Sequence, residues 1–269
     1  MKLALSEIST VNATFAEDVA AYAAAGFDAI GLWEFKLPED DGANRELARA
    51  HGLSVANCVP SVPSILQLRV PGMEGPADPD ERIESICASV RRFAVYEPEC
   101  VACLTGPIGD RTEREARDVV VDGLRRIAAT AREAGVRVGF EPIHPGERET
   151  TSFVNTVADA EALLDEEGLR DVGILVDTYN VWDDPGAAGW IVANPDRVSG
   201  VHIACPEVGA GRGLPRGSGR ERELVDALRA GGWDGSLDVE IFSTPDGFWA
   251  LPVEDAARQA HAAAAALLA

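Results

Sequence analysis

Along this chain, short apolar runs alternate with longer stretches whose apolar residues recur every third or fourth position. The runs predict strands at Lys2–Ser6, Ala29–Trp33, Leu53–Cys58, Cys100–Leu104, Val136–Glu141, Val172–Asp177, Val198–Ile203 and Ser236–Ile241. The longer stretches predict helices near Phe15–Ala25, Ala43–His51, Asp80–Tyr96, Glu113–Ala134, Thr156–Glu167, Asp184–Ala193, Glu221–Ala230 and Val253–Leu268. Gly26, Gly52, Gly135, Gly168 and Gly232 follow helical stretches, where a left-handed residue commonly ends a helix. Strands that alternate with helices call for a parallel sheet, because each parallel strand needs a crossover. Eight such units close into a barrel. The rival, a doubly wound open sheet, would carry a glycine-rich phosphate loop after an early strand, and none is present. The expectation is an α/β fold, a single (β/α)8 TIM barrel, with residues 1–269 as one domain and no linker or low-complexity boundary.

Composition narrows the function. The chain of 269 residues has 24 basic and 45 acidic side chains, a net charge of −21. Such a chain repels phosphate backbones and anionic lipid surfaces, which argues against nucleic acid or a membrane as partner. The five cysteines form no regular framework and read as free thiols in a reducing cytoplasm. Cys100 and Cys103 form a CxxC, but three positions apart in a strand they point to opposite faces and cannot converge on zinc. The start, MKLALSEIST, lacks the apolar length of a signal peptide, and no stretch has the length of a membrane span. The final HAAAAALLA reads as a docking helix.

A parallel barrel delivers every strand's last residues to one face. Four consecutive predicted strands end in a metal-capable side chain: Glu141, Asp177, His202 and Glu240, spaced 36, 25 and 38 residues apart, one βα unit each. Two like charges ~4 Å apart cost about 4 kcal/mol at an effective dielectric of ~20. Three carboxylates at one rim must therefore shift their pKa values or hold a cation. Three oxygen donors and one imidazole suit Mn²⁺, Mg²⁺, Co²⁺ or Zn²⁺.

The segments GFEPIHP, VDTYNVW, VHI and DVEIF, with GFDAIGLWE and FVNTVADAEALL, resemble the motifs of the xylose isomerase-like barrel superfamily of sugar phosphate isomerases and epimerases. The resemblance covers essentially the whole chain. It implies a divalent ion held by Glu141, Asp177, His202 and Glu240, with Glu141 and Glu240 doubling as acid/base groups on opposite faces of the substrate. It places Glu147 on sugar hydroxyls. Related ketose epimerases carry a substrate-contacting histidine at the position of Asn180, which can donate and accept hydrogen bonds to a substrate but cannot titrate. The arginine that commonly follows the His202 position has no direct counterpart at Cys205-Pro206-Glu207, leaving Arg212 or Arg216 in its place.

Other residues complete the picture. His144, in a Pro-flanked loop past Glu141, is a candidate proton shuttle or is simply bonded within its loop. Trp33 and Trp182 lie at or just past strand ends and would wall a sugar face or pack. His51 and His261 fall on outer helix positions. Arg69, Lys36 and Arg148 form no cluster that would mark a phosphate. Two long loops should lie on the catalytic rim: Val59–Pro79, with five prolines, and Gly209–Gly219, read as a mobile loop over the site.

The leading expectation is a metal-dependent keto-sugar or polyol isomerase or epimerase, working by proton transfer through a metal-stabilised enediolate. The alternative is a lyase on a keto-sugar, dehydrating an inosose or cleaving a 3-keto-C-glycoside, with His144 assisting departure. Phosphodiester hydrolysis needs a multi-metal cluster that four histidines, two of them on outer helices, cannot build. A non-enzymatic binding protein would not keep the quartet. The partner is then a small sugar or polyol, and homo-oligomerisation stays open.

Overall fold

The computed structural model describes residues 1–207 and 211–269. Strands β1 (Lys2–Ser6), β2 (Ala29–Trp33), β3 (Ser54–Val59), β4 (Cys100–Cys103), β5 (Val138–Phe140), β6 (Gly173–Asp177) and β7 (Val198–Ile203) run parallel. After a short antiparallel ribbon of β8 (Cys205–Glu207) and β9 (Gly211–Gly213), the last strand β10 (Ser236–Val239) pairs with both β7 and β1 and closes the barrel. Helices α1 (Phe15–Ala25), α2 (Asp41–Ala50), α3 (Pro79–Phe93), α4 (Glu113–Ala134), α5 (Val157–Glu166), α6 (Ala187–Ala193), α7 (Arg220–Gly231) and α8 (Val253–Leu268) form the outer layer. This is the expected (β/α)8 barrel.

Local chemistry explains where elements begin. Helices α1 and α4 open on capping boxes, Thr14 with Glu17 and Thr112 with Glu115, each pair satisfying orphan backbone donors at a helix start. Helix α6 starts three residues later than expected. Asp184 is held in a turn: its Oδ1 accepts from Gly186 N at 2.9 Å and its Oδ2 from Val157 N at 3.0 Å. Helix α8 docks through Ala256, Ala257, Ala260, Ala264 and Leu267, and its His261 ring lies 5.1 Å edge-on from Phe27. No helix among the described residues is long and apolar enough to cross a membrane.

The main apolar core lies between strands and helices, and alternation along each strand sends every second residue into the barrel instead. Strand β4 illustrates it: Cys103 joins the outer core, while Cys100 and Ala102 face inward with Leu175 and Trp33. The two thiols diverge as expected, and no disulfide links the cysteines among the described residues. The barrel interior is not wholly apolar. Asn57 Nδ2 donates to Val201 O at 3.1 Å and to Asp238 Oδ2 at 3.2 Å, both buried. Two glycines make this room. A Cβ on Gly200 would lie 2.1 Å from Asn57 Oδ1, and one on Gly31 would lie 2.2 Å from Asp238 Oδ2.

The loop after β3 is tied down by one buried cation. Arg82, in α3, has no exposed surface. Its Nε donates to Ser64 O at 2.8 Å, its Nη1 to Glu74 O at 2.6 Å and Pro76 O at 2.9 Å, and its Nη2 to Ser64 Oγ at 2.6 Å. Burial lowers its pKa to about 10, so it stays charged at neutral pH. Arg82→Met fills similar space but leaves those carbonyls without donors. It is expected to cost about 3 kcal/mol, from the penalty of buried unsatisfied polar groups, and to expose residues 60–78 to protease. Unchanged melting and an unchanged cleavage pattern would show that the loop holds itself.

Candidate active site

Glu141 and Glu240 stand one residue beyond β5 and β10, Asp177 ends β6, and His202 is the penultimate residue of β7. All four are buried. One donor atom each from Glu141, Asp177 and His202 lies within 4.8 Å of the others. His202 Nδ1 is 3.8 Å from Glu141 Oε1 and 3.7 Å from Glu240 Oε2, and its Nε2 is 3.7 Å from Asp238 Oδ2. Both ring nitrogens are buried without a hydrogen-bond partner. A buried imidazole ringed by carboxylates fits a divalent cation, which would bind its Nδ1 by displacing the proton there. Nδ1 faces that site, while Nε2 faces the barrel interior, where second-layer carboxylates typically sit behind metal-bound histidines.

Charge repulsion is written into the protonation states. Burial, together with Glu141 and Glu240, pushes the Asp177 carboxyl up to about 7 against the pull of Arg212. Burial also raises Asp238 to about 7. For His202, burial works downward, but Glu240, Glu141 and Asp238 outweigh it and hold the ring near 10.

Arg212 is the counter-charge. Its Nη1 contacts Glu240 Oε2 and lies 3.3 Å from Asp177 Oδ2, and its Nη2 donates to Asn180 Oδ1 at 3.3 Å. The guanidinium lies between the rings of Tyr179 and Phe242, 5.0 and 4.8 Å from their centroids. Burial opposes its charge, yet Asp177, Glu240 and Glu141 raise its pKa. The ribbon sets its position: Arg212 N donates to Phe242 O, and Phe242 N to Arg212 O, both at 3.2 Å. This corrects the reading of Gly209–Gly219 as one mobile loop. Gly211–Gly213 is strand β9, bonded to the chain just past β10, whereas Gly209 and Ala210 lie outside the described residues.

The site opens into a cavity of about 240 Å³ that reaches Glu141, His202, Glu240, Arg212, Glu147 and Trp33. Three sequence candidates are placed elsewhere. Asn180, expected to touch substrate, is buried and fully engaged by protein. Its Nδ2 donates to Glu141 Oε1 at 2.9 Å and Asp177 Oδ2 at 3.2 Å, and its Oδ1 accepts from His144 N and Arg212 Nη2, both at 3.3 Å. It ties Glu141 to Asp177 instead. Trp182 lies outside the cavity lining, in the turn leading away from β6, where its carbonyl accepts from Arg220 Nε at 3.2 Å. His144 also lies outside the lining; its Nε2 is 3.3 Å from Asp183 Oδ2, and its Nδ1 accepts from Gly146 N at 3.0 Å.

Four of the wall residues that sequence reasoning passed over share one signal. Leu104, Ile143, Tyr179 and Phe242 each sit two positions beyond Ala102, Glu141, Asp177 and Glu240. For Leu104, Ile143 and Phe242 the two-residue repeat of the strand carries past its end, and for Tyr179 the turn after β6 keeps the same offset, so all four face the same cavity. The scattered cations each have a protein partner of their own. Lys36 pairs with buried Asp18, Arg69 lies 3.3 Å from Asp110, and Arg148 donates to Phe153 O and Asn155 Oδ1.

The family model of the xylose isomerase-like TIM barrel matches residues 19–267. The chain belongs to that family. Solved xylose isomerase-like barrels superpose along nearly its whole length. The protein SMc04130 from Sinorhizobium meliloti 1021 is 24% identical, with a TM-score of 0.80 over 97% of this chain and 96% of that one. The IOLI protein, solved with a binding zinc atom, is 18% identical, with a TM-score of 0.79 over 100% and 98%. The 3-keto-D-glucoside 4-epimerase YcjR from E. coli is 19% identical, with a TM-score of 0.73 over 100% and 99%. At these identities the likeness is one of fold. No curated protein matches the sequence.

Beside Trp33, a second buried acidic group gives a pH test. Glu7 Oε2 accepts from Trp33 N at 2.8 Å, while its Oε1 has no partner. Burial raises its carboxyl from 4.5 to about 8, outweighing nearby Lys36. The folded state therefore holds a proton that the unfolded chain releases, so Glu7 lends stability at low pH that is lost as pH rises from about 4.5 through about 8. Glu7→Gln is expected to flatten that part of the melting profile and raise Tm at pH 8 by roughly 5 °C. An identical slope from pH 5 to 8 in both proteins would mean that Glu7 is ionised when folded.

Proposed function

We propose that this protein is a divalent-cation-dependent isomerase or epimerase that moves a proton on the carbon beside the carbonyl of a keto-sugar or related polyol. The observation that carries the reading is the convergence of Glu141, Asp177 and His202 within 4.8 Å, with Glu240 beside them and both His202 nitrogens lacking a hydrogen bond. Membership of the xylose isomerase-like family supports it, as do structural neighbours named as sugar epimerases, among them a D-psicose 3-epimerase and the 3-keto-glucoside enzyme. Glu141, Asp177, His202 and Glu240 would hold the cation. Bound there, it would polarise the substrate carbonyl and make the neighbouring C–H acidic.

The chain's own residues supply the proton transfer. Glu141 and Glu240 both reach the cavity, from strands separated around the barrel by β6 and β7. A substrate carbon lying between them presents one face to each. One carboxylate takes the proton, and the C–H pair moves toward the carbonyl carbon. The other glutamate, protonated, returns a proton to the opposite face, which inverts the centre. Asn180 fixes Glu141 by donating to its Oε1, and Arg212 fixes Glu240. Glu147, on the cavity wall with Thr151 Oγ1 donating to its Oε2 at 3.3 Å, is placed to accept from a substrate hydroxyl. His144, facing Asp183 outside the lining, favours two-glutamate transfer over a lyase that would use it as acid.

Solvent-deuterium incorporation and metal analysis test this together. Chelation should stop exchange. Asp177→Asn should sharply lower cation content, since it removes an anionic donor with little change of shape. Glu141→Gln and Glu240→Gln should each lower turnover by ~10²–10⁴, the usual worth of a positioned acid or base, while His144→Ala has a mild effect. Undiminished cation in Asp177→Asn, or full turnover in both glutamine variants, overturns the reading. Severe loss in His144→Ala with one glutamate dispensable moves it to the lyase.

A further inference from the structure

The cavity is divided. Charged groups enter from the ends of β5, β7 and β10 and from the ribbon, whereas β2, β3, β4 and the loop after β3 contribute Trp33, Val59, Leu68, Val70, Met73 and Leu104. No side chain lining that second half offers a free hydrogen-bonding group among the described residues. The one polar atom there, the Trp33 indole N–H, already donates to Ser6 Oγ at 3.0 Å. A small free keto-sugar does not match this surface. With its carbonyl over the acidic half, its remaining hydroxyls would lie against aliphatic carbon and lose water without replacement. A phosphate ester fits no better. Arg212 is the only Lys or Arg among the described lining residues, and Glu240, Asp177 and Asn180 already engage its guanidinium.

From this division we infer that the substrate is an unphosphorylated keto-sugar glycoside carrying a compact apolar aglycone, an aryl ring or short alkyl chain, which lies against the β2–β4 half. The inference rests on the proton-transfer reading for the sugar end and on the cavity wall for the other. The volume of about 240 Å³, just below the ~300–1,000 Å³ of common ligand sites, limits the aglycone to roughly one ring. The loop that supplies Leu68, Val70 and Met73 is the one that Arg82 ties down, so the apolar wall is built before substrate arrives.

The test compares matched substrates on the metal-loaded enzyme: 3-keto-glucose, its phenyl glycoside and its 6-phosphate, each followed by solvent-deuterium wash-in. The phenyl glycoside should exceed free 3-keto-glucose in kcat/KM by about 100-fold, the effect of burying an apolar group of that size, and the phosphate should be the poorest. Leu68→Asn and the half-exposed Met73→Gln should each cut that ratio about tenfold. A second measurement does not depend on the chemistry: quenching of tryptophan fluorescence by phenyl β-glucoside, which has no enolisable carbonyl, should be lost or weakened in the same variants. Equal kcat/KM for the free and phenyl sugars, or preference for the phosphate, overturns the inference while leaving the proton-transfer reading intact. Absence of wash-in from every substrate, with phenyl β-glucoside still bound and weakened by Leu68→Asn, overturns the proton-transfer reading and keeps the apolar subsite.

Discussion

Everything at the top of this barrel answers to the crowding of negative charge around one buried imidazole. Glu141, Glu240 and Asp238 all lie within 4 Å of His202, and Asp177 lies next to them. Water cannot screen them, since each is nearly or wholly buried. Such a cluster persists only if positive charge enters it or protons neutralise it. The fold uses both. His202 is held charged near 10, Asp177 and Asp238 are pushed up to about 7, and Arg212 is inserted between carboxylates. A site that must balance so many carboxylates is one where a divalent ion is strongly favoured.

That requirement propagates downward into the barrel and outward to its rim. Below, Asp238 needs space and a donor, which explains why Gly31 and Gly200 stand where any side chain would collide, and why Asn57 bridges Val201 O and Asp238. At the rim, Arg212 lies directly on Glu240 and 3.3 Å from Asp177, and a long side chain needs its own positioning to hold that place. The antiparallel ribbon supplies it. Two backbone bonds tie Arg212 to Phe242, and two aromatic faces hold the guanidinium plane. Asn180 links the layers by contacting Glu141, Asp177 and Arg212 at once.

The barrel was legible because its signals are local and repeated. Apolar runs, capped helices and acids at successive strand ends each follow from backbone periodicity, and closure then brings distant residues together without further information. The rest depended on geometry beyond a strand's end. The turn after Asp177 sends Tyr179 into the cavity, Asn180 onto the buried carboxylates and Trp182 away, three fates within four residues. The two-residue repeat would have found Tyr179, Ile143 and Phe242. Nothing in the sequence marks the β8–β9 ribbon, since a glycine-rich stretch specifies freedom and not the partner that removes it. Arg212 was therefore visible only as one of two arginines in a loop, although tertiary pairing makes it the central cation of the site.

The same division of labour among strands explains how one cavity can combine strong electrostatics with an apolar wall. Charge from β5 to β10 acts over short distances only where water is excluded, and the β2–β4 half excludes it with carbon. The two halves meet at the edge-on contact between Trp33 and Phe242, whose rings lie 5.8 Å apart. Trp33 is itself fixed from behind by Ser6 and Glu7, so the apolar half is as preorganised as the charged one. Polarity is confined to the side where protons move. On the proposed reading, an enolisable carbonyl would be deprotonated on the charged side, and the part of the substrate that does not react would supply binding energy on the other side. Under that reading recognition and chemistry would be separated within a single barrel mouth, with specificity set by the loop after β3, which supplies Leu68, Val70 and Met73 and none of the acids.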